Sequence, residues 1–181
     1  MITQRGGSLD TRRSAREAAE VRFDLPEVAD GPGMWDLVRD CGGLDPNSSY
    51  LYLMWCRDFA HTSIVARGDS GHLLGFITGF RRPTSPGALF VWQVAVAPGH
   101  RRGGLAARML DGLVERMTLT GSGPVSAVEA SVTPHNCASA ALFGSFALRH
   151  DAQLRRVPLF EESNFPDEHD AEELFHIDLG R

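Results

Sequence analysis

The stretch from Leu89 to Leu110 reads L-F-V-W-Q-V-A-V-A-P-G-H-R-R-G-G-L-A-A-R-M-L and passes from strand to loop to helix. Leu89 to Val96 are β-branched, aromatic or small and almost wholly apolar, and Pro98-Gly99 stops the run. That pattern predicts a central strand buried on both faces. Leu105, Met109, Leu110, Leu113, Val114 and Met117 then recur at helical spacing and form one apolar stripe. The helix opens on Gly103-Gly104, with Arg101 and Arg102 just before. A helix start leaves backbone N–H groups uncovered at the positive end of the helix dipole, a seat for phosphate oxygens. Two adjacent arginines suit a di-anionic ligand.

The rest of the chain must supply neighbours for this strand and helix. At 181 residues and 43% hydrophobic content the sequence fits one globular domain. The formal net charge of -5 argues against non-specific nucleic-acid binding and suits a cationic substrate. All 18 basic residues are arginine. The absence of lysine excludes Schiff-base chemistry, PLP attachment, a P-loop lysine and a Ser-Lys dyad. Cys41, Cys56 and Cys137 lack C-x-x-C spacing, which predicts neither disulfides nor a zinc ribbon and places the chain in the cytoplasm. No metal site is expected, because the histidines show no H-x-x-x-H spacing. No apolar run reaches membrane-span length, and the N-terminus has no signal-peptide core, so no membrane partner is expected.

Residues 1–20, rich in Arg, Ser, Gly and Ala, read as a flexible extension, and 21–181 as a single domain. Val21 to Asp24 reads as a short strand. Helical spacing follows from Met34, and a second helix spans Tyr50 to Asp58, capped by Asn47 or Ser48. Thr62 to Arg67 and Leu73 to Phe80 read as strands joined by the turn Gly68-Asp69-Ser70-Gly71. Arg81 to Gly87, with two prolines, reads as a loop. After the striped helix come a strand over Val125 to Val132, a helix from Asn136 to Leu148 and a strand over Gln153 to Val157. A long acidic segment from Pro158 to Asp170 and a strand over Glu172 to Asp178 complete the chain.

The spacing Arg101-x-x-Gly104-x-Ala106 resembles the R-x-x-G-x-(G/A) loop with which GNAT acyltransferases hold the pyrophosphate of acetyl-CoA. The element order is similar to theirs: an α/β (α+β) fold whose mixed central sheet, flanked by helices, splays open where CoA enters. A doubly wound nucleotide-binding sheet would share much of this order, but no G-x-G-x-x-G follows a strand.

From about Asp30 onward the chain resembles one GNAT family, the L-2,4-diaminobutyrate N-acetyltransferases of ectoine synthesis. The residues that carry this are Leu44-Asp45-Pro46-Asn47-Ser48-Ser49-Tyr50, Leu89 to Val96, Val132-Thr133-Pro134-His135-Asn136 with Leu142-Phe143, and His169-Asp170-Ala171-Glu172-Glu173-Leu174. Two departures are conservative: His169-Asp170-Ala171-Glu172 where the family usually reads H-E-x-E, and Ser131 where Thr is common. The resemblance implies acetyl-CoA as donor and L-2,4-diaminobutyrate as acceptor, acetylated on its 4-amino group, in osmotic stress. A homodimer is implied on the same ground.

The acyl-CoA site is then expected to comprise Gln93, Val94, Val96, Arg101, Arg102, Gly103, Gly104, Leu105, Ala106, Asn136, Ser139 and Phe143. The acceptor pocket is expected to hold Asp45, Tyr50, Trp92, Asn136, His169 and Glu172, with Asp45, Tyr50 and Glu172 as catalytic candidates. The chemistry needs a neutral amine, a carbonyl held for attack and stabilisation of the tetrahedral intermediate. A primary alkyl amine has a pKa of about 10, so carboxylates such as Asp45, Glu172 or Glu173 suit proton removal. In many GNAT enzymes a Tyr protonates the leaving thiolate; Phe143 stands at the matching position and has no proton to give, which brings Tyr50 into consideration. Each residue also has a plainer reading: carboxylates as caps or solvated groups, Tyr50 and Trp92 as packing, Asn136 as a helix cap. Two rival functions remain open, an acetyltransferase for another diamino acid or polyamine, and a non-catalytic CoA-binding GNAT domain.

Overall fold

The computed structural model describes residues 21–42, 47–120 and 123–180. The expectations for the 1–20 extension and for Asp45 lie outside those residues. Seven strands are β1 Arg22–Asp24, β2 Ile64–Arg67, β3 Leu73–Arg82, β4 Ser85–Val96, β5 Ala127–Val132, β6 Gln153–Phe160 and β7 Glu172–Asp178. Among the described residues the four α-helices are α1 Gly31–Cys41, α2 Ser49–Asp58, α3 Leu105–Thr120 and α4 Cys137–Arg149. The strands form one mixed sheet in the order β1-β2-β3-β4-β5-β7-β6. Every pairing is antiparallel except β4 with β5.

Local chemistry explains most boundaries. Pro32 lies in the first turn of α1, where a missing N–H costs nothing, so the helix starts at Gly31 rather than Met34. The β2–β3 turn closes through Gly68 N–H to the His72 carbonyl at 3.1 Å, with Gly71 at φ 81°. The apolar stripe of α3 is buried against the sheet together with Phe143 and Phe146 of α4, forming the larger core. A second core on the opposite face joins Met34, Val38 and Cys41 of α1 to Tyr52 and Cys56 of α2, and to Val65, Phe76 and Ala95 of the sheet.

Two stretches read as lying outside strands, the Arg81–Gly87 loop and the start of the acidic segment, are strand. β3 runs to Arg82 and β4 begins at Ser85, so only Pro83-Thr84 turns the chain, and Pro86 belongs to β4. Pro86 precedes Ala88, where the β5 ladder begins, so its lack of an N–H interrupts no bond to that neighbour. β6 likewise extends through Pro158 to Phe160; it is an edge strand, where proline is tolerated.

β4 carries the feature that shapes the site. Thr78 pairs with Gln93 and Gly79 with Val91, so Trp92 is the extra residue of a β-bulge. The bulge reverses the alternation of side chains. Leu89 and Val91 before it, and Val94 and Val96 after it, belong to the α3/α4 core; Ala95 falls in the α1/α2 core. Gly79 sits opposite with no room for a Cβ, which would lie 2.9 Å from the Phe90 carbonyl and 3.0 Å from that of Thr62. β4 is therefore not buried on both faces throughout: Trp92 is 48% exposed.

Candidate active site

The parallel ladder between β4 and β5 covers only Ala88 to Val91 against Ala127 to Ala130. Beyond it Trp92 to Val96 and Ser131 to Val132 no longer pair with each other, and the sheet opens into a wedge. Two cavities fill the opening, of about 970 Å³ and 770 Å³. Val94, Asn136 and Ser139 line both, so the cavities meet where the strands part.

The smaller cavity is lined by the turn before α3 and the first turn of that helix: His100, Arg101, Arg102, Gly104, Leu105, Ala106 and Ala107, with Val96 opposite. Arg102 at φ 63° and Gly104 at φ 72° take the left-handed conformation and curl the backbone. Arg108 N–H closes on the Gly104 carbonyl at 3.0 Å, so the N–H groups of Leu105, Ala106 and Ala107 have no helical acceptor. The two arginines differ. Arg101 donates to the carbonyls of Val96 at 3.2 Å and Cys41 at 2.7 Å, tying the turn to β4 and the end of α1. Arg102 is exposed. Gly103 is part of the turn but not of the cavity wall.

The larger cavity is lined by Asn47, Trp92, Gln93, Ser131, Thr133, Asn136, Phe143, His169 and Glu172, among others. Glu162, Asp167, Glu168 and Asp170 join Glu172 on its wall, and among the described residues no arginine lines it. Its field favours a cation. His169 stacks on Phe165 with ring centroids 4.0 Å apart, and its Nε2 lies 3.7 Å from Glu172 Oε1. Trp92 continues an aromatic row with Trp55, whose ring centre is 5.6 Å away. Asn136 caps α4, its Oδ1 accepting from Ser139 N–H at 3.0 Å. Among the described residues, no group of three His, Cys, Asp or Glu could hold a metal ion.

The structure distributes the expected site residues over both cavities. Gln93 and Phe143, expected at the acyl-CoA site, line the larger cavity, and Val94, Asn136 and Ser139 line both. Phe143 is only 2% exposed and packs against Phe175. Tyr50 is 67% exposed and lines neither cavity, because it lies off the face that α2 turns to the sheet. That face is Tyr52, Trp55 and Cys56, all buried. Tyr52, passed over in the sequence, is fully buried and donates its hydroxyl to Gln93 Oε1 at 2.9 Å. Burial pushes its pKa up, and its hydrogen bond to Gln93 opposes part of that shift. The three-four spacing of Tyr52, Trp55 and Cys56 was the available signal. Ser131 carried none; its Oγ is buried without a hydrogen-bond partner.

A wedge-opened mixed sheet with a glycine turn and uncovered N–H groups at the start of α3 defines a class, and the comparisons give the same one. The profile of the acetyltransferase (GNAT) family matches residues 32–147, and the chain belongs to that family. It is 51% identical over 158 residues to the L-2,4-diaminobutyric acid acetyltransferase of Streptomyces avermitilis, covering 87% of each chain. With the enzyme of that description from Marinococcus halophilus it shares 40% identity, covering 96% of this chain and 92% of the relative. A diaminobutyrate acetyltransferase structure from Paenibacillus lautus, in complex with L-2,4-diaminobutyric acid and coenzyme A, superposes with a TM-score of 0.82. It is 40% identical, with 89% of this chain and 96% of that one covered. Within the GNAT family, this chain is a member of the L-2,4-diaminobutyric acid acetyltransferases.

Proposed function

We propose that the protein transfers the acetyl group of acetyl-CoA to the 4-amino group of L-2,4-diaminobutyrate, giving the N4-acetyl product for ectoine formation under osmotic stress. The observation that carries this reading is the meeting of two cavities at the β4/β5 wedge, one edged by a phosphate-binding turn and the other lined by carboxylates.

Each part of the wedge has a task. The first-turn N–H groups of α3 and Arg102 hold the pyrophosphate, and Arg101 keeps the turn in shape. Val94 stands where the cavities join, and its backbone N–H is the donor assigned to the thioester oxygen. The ammonium gives up one proton before attack. Its nitrogen then bonds to the thioester carbon, the C–S bond breaks, and a second proton leaves the nitrogen while the thiolate gains one. Glu172, with Asp45, serves as the carboxylate base. Phe143 has no proton to give, so the thiolate draws its proton from the water-accessible cavity.

Regiochemistry follows from anchoring the α-amino and α-carboxylate groups so that the far amine alone reaches the thioester. The neutral donors Asn47, Ser131, Thr133 and Asn136 are the cavity's partners for the carboxylate.

The domain is assigned to 21–181, as a cytoplasmic homodimer. No described helix is long and apolar enough to cross a membrane. Val157 and Phe160 are exposed on edge strand β6, a surface suited to a second copy, and light scattering on the eluted protein tests the dimer. CoA release, measured with L-2,4-diaminobutyrate, ornithine, lysine and spermidine, tests the function. Marked preference for diaminobutyrate is expected. Faster turnover of a longer amine would overturn the acceptor assignment, and acetyl-CoA binding without turnover would overturn catalysis.

A further inference from the structure

The chain between β6 and β7 edges the acceptor cavity with a row of rings. Phe160, the last residue of β6, pairs with Glu172, the first of β7. Between them lies the short 3-10 turn Glu162–Asn164, closed by Glu161 N–H to Asn164 Oδ1 at 2.9 Å and by Phe165 N–H to the Glu162 carbonyl at 3.1 Å. Phe165 leaves this turn edge-on to Phe160, with ring centroids 6.1 Å apart. It lies flat against His169, centroids 4.0 Å apart and planes 17° from parallel. His169 Nε2 is 3.7 Å from Glu172 Oε1, so the row starts opposite Glu172 and returns to it.

Phe160, Phe165, His169 and Glu172 all line the larger cavity. A cavity of about 970 Å³ is far roomier than a four-carbon amino acid, so the acceptor is fixed by polar groups that hold still rather than by shape. The torsion that sets the plane of a histidine ring is broad, and neighbours must fix it. At His169 the Nδ1 edge is tied, because a carbonyl only accepts: Nδ1 donates to the Asp170 carbonyl at 2.7 Å, which turns Nε2 toward Glu172. The flat face of Phe165 fixes the tilt, which an in-plane bond leaves free. Leucine would fill much of the same space without that face.

We infer that Phe165 is a positioning residue of the acceptor site, holding the His169 imidazole at the angle where Nε2 and the Glu172 carboxylate face the acceptor together. This rests on the acetyltransfer reading above. A phenyl ring carries no hydrogen-bonding group and moves no proton, so it acts through His169.

The test compares Phe165→Leu, which keeps apolar bulk, with Phe165→Tyr, which keeps the flat face, and repeats Phe165→Leu in a His169→Ala background. Acceptor KM, acetyl-CoA affinity by calorimetry and melting temperature are measured on all, and the NMR signals of the His169 ring protons wherever that residue is kept. Phe165→Leu is expected to raise the acceptor KM about threefold to tenfold, the effect of one aromatic stack, with acetyl-CoA affinity unchanged. The His169 ring protons are expected to move downfield as the ring current of Phe165 is lost. Phe165→Tyr is expected to keep the wild-type KM and shifts, and Phe165→Leu to leave KM unaltered once His169 is alanine. A lowered melting temperature with unchanged KM, an undiminished effect in the His169→Ala background, or a Tyr variant as impaired as the Leu variant would overturn the inference. The series is run with whichever amine the wild type prefers, and its Kd is also titrated through the His169 signals. Preference for another amine overturns the substrate assignment and binding without turnover overturns catalysis, while the change in Kd still decides the role of Phe165.

Discussion

Glu172 and Ser131 illustrate how single residues at the wedge trade stability against binding. Glu172 faces the cavity beside His169, on a wall rich in carboxylates. Glu172→Gln keeps the shape and removes the charge. Steady-state kinetics are expected to show a raised acceptor KM or a lowered kcat, with acetyl-CoA affinity unchanged; wild-type kinetics would remove Glu172 from the site. Ser131 is the opposite case, a hydroxyl that the folded chain leaves without a partner. An unpaired buried hydroxyl costs roughly 1 kcal/mol or more, so Ser131→Ala is expected to stabilise the protein by about that much in urea unfolding. Its acceptor KM should rise at the same time, because the neutral donors of the cavity are one fewer. A variant that loses stability would show that the hydroxyl is satisfied in the folded protein. Neither the orphaned hydroxyl nor the buried hydrogen bond of Tyr52 was legible residue by residue, since each depends on what the other strands bring near.

At the scale of elements, the run from β4 through the glycine turn to α3 was legible because its signals are local: a continuous apolar strand, a glycine break and a helical stripe. The same holds for the Asn136 cap of α4. The bulge at Trp92 was not, since a two-against-one pairing exists only once β3 lies alongside. Pro86 suggested a loop and Pro158 the end of a strand because proline interrupts interior ladders; both lie in strands at positions that need no N–H toward the open side. Within the turn, two neighbouring arginines with one sequence signature have different jobs. Arg101 donates to two carbonyls, and Arg102 lines the smaller cavity beside the helix start. Arg101→Ala is expected to lower the melting temperature together with acetyl-CoA affinity, and Arg102→Ala to weaken acetyl-CoA binding by about threefold to tenfold with melting unchanged. Differential scanning fluorimetry and calorimetry on both variants decide it; identical behaviour would contradict the division of roles.

Across the whole molecule, the sequence order of strands conveys the fold class but not the placement of β7 between β5 and β6, which is set by non-local pairing. That insertion positions the acidic segment after β6, together with His169 and Glu172, over the open wedge. The two cavities therefore depend on the sheet as a unit: β4 supplies their shared wall, α3 the phosphate end and β7 the acceptor end. Position of the acceptor within this frame is the central claim, because it dictates which of two amines is acetylated. The most direct measurement is NMR of the product formed from L-2,4-diaminobutyrate and acetyl-CoA labelled with ¹³C at the carbonyl. A correlation from the labelled carbonyl to the protons on carbon 4 is predicted; a correlation to the proton on carbon 2 would contradict the placement of the acceptor.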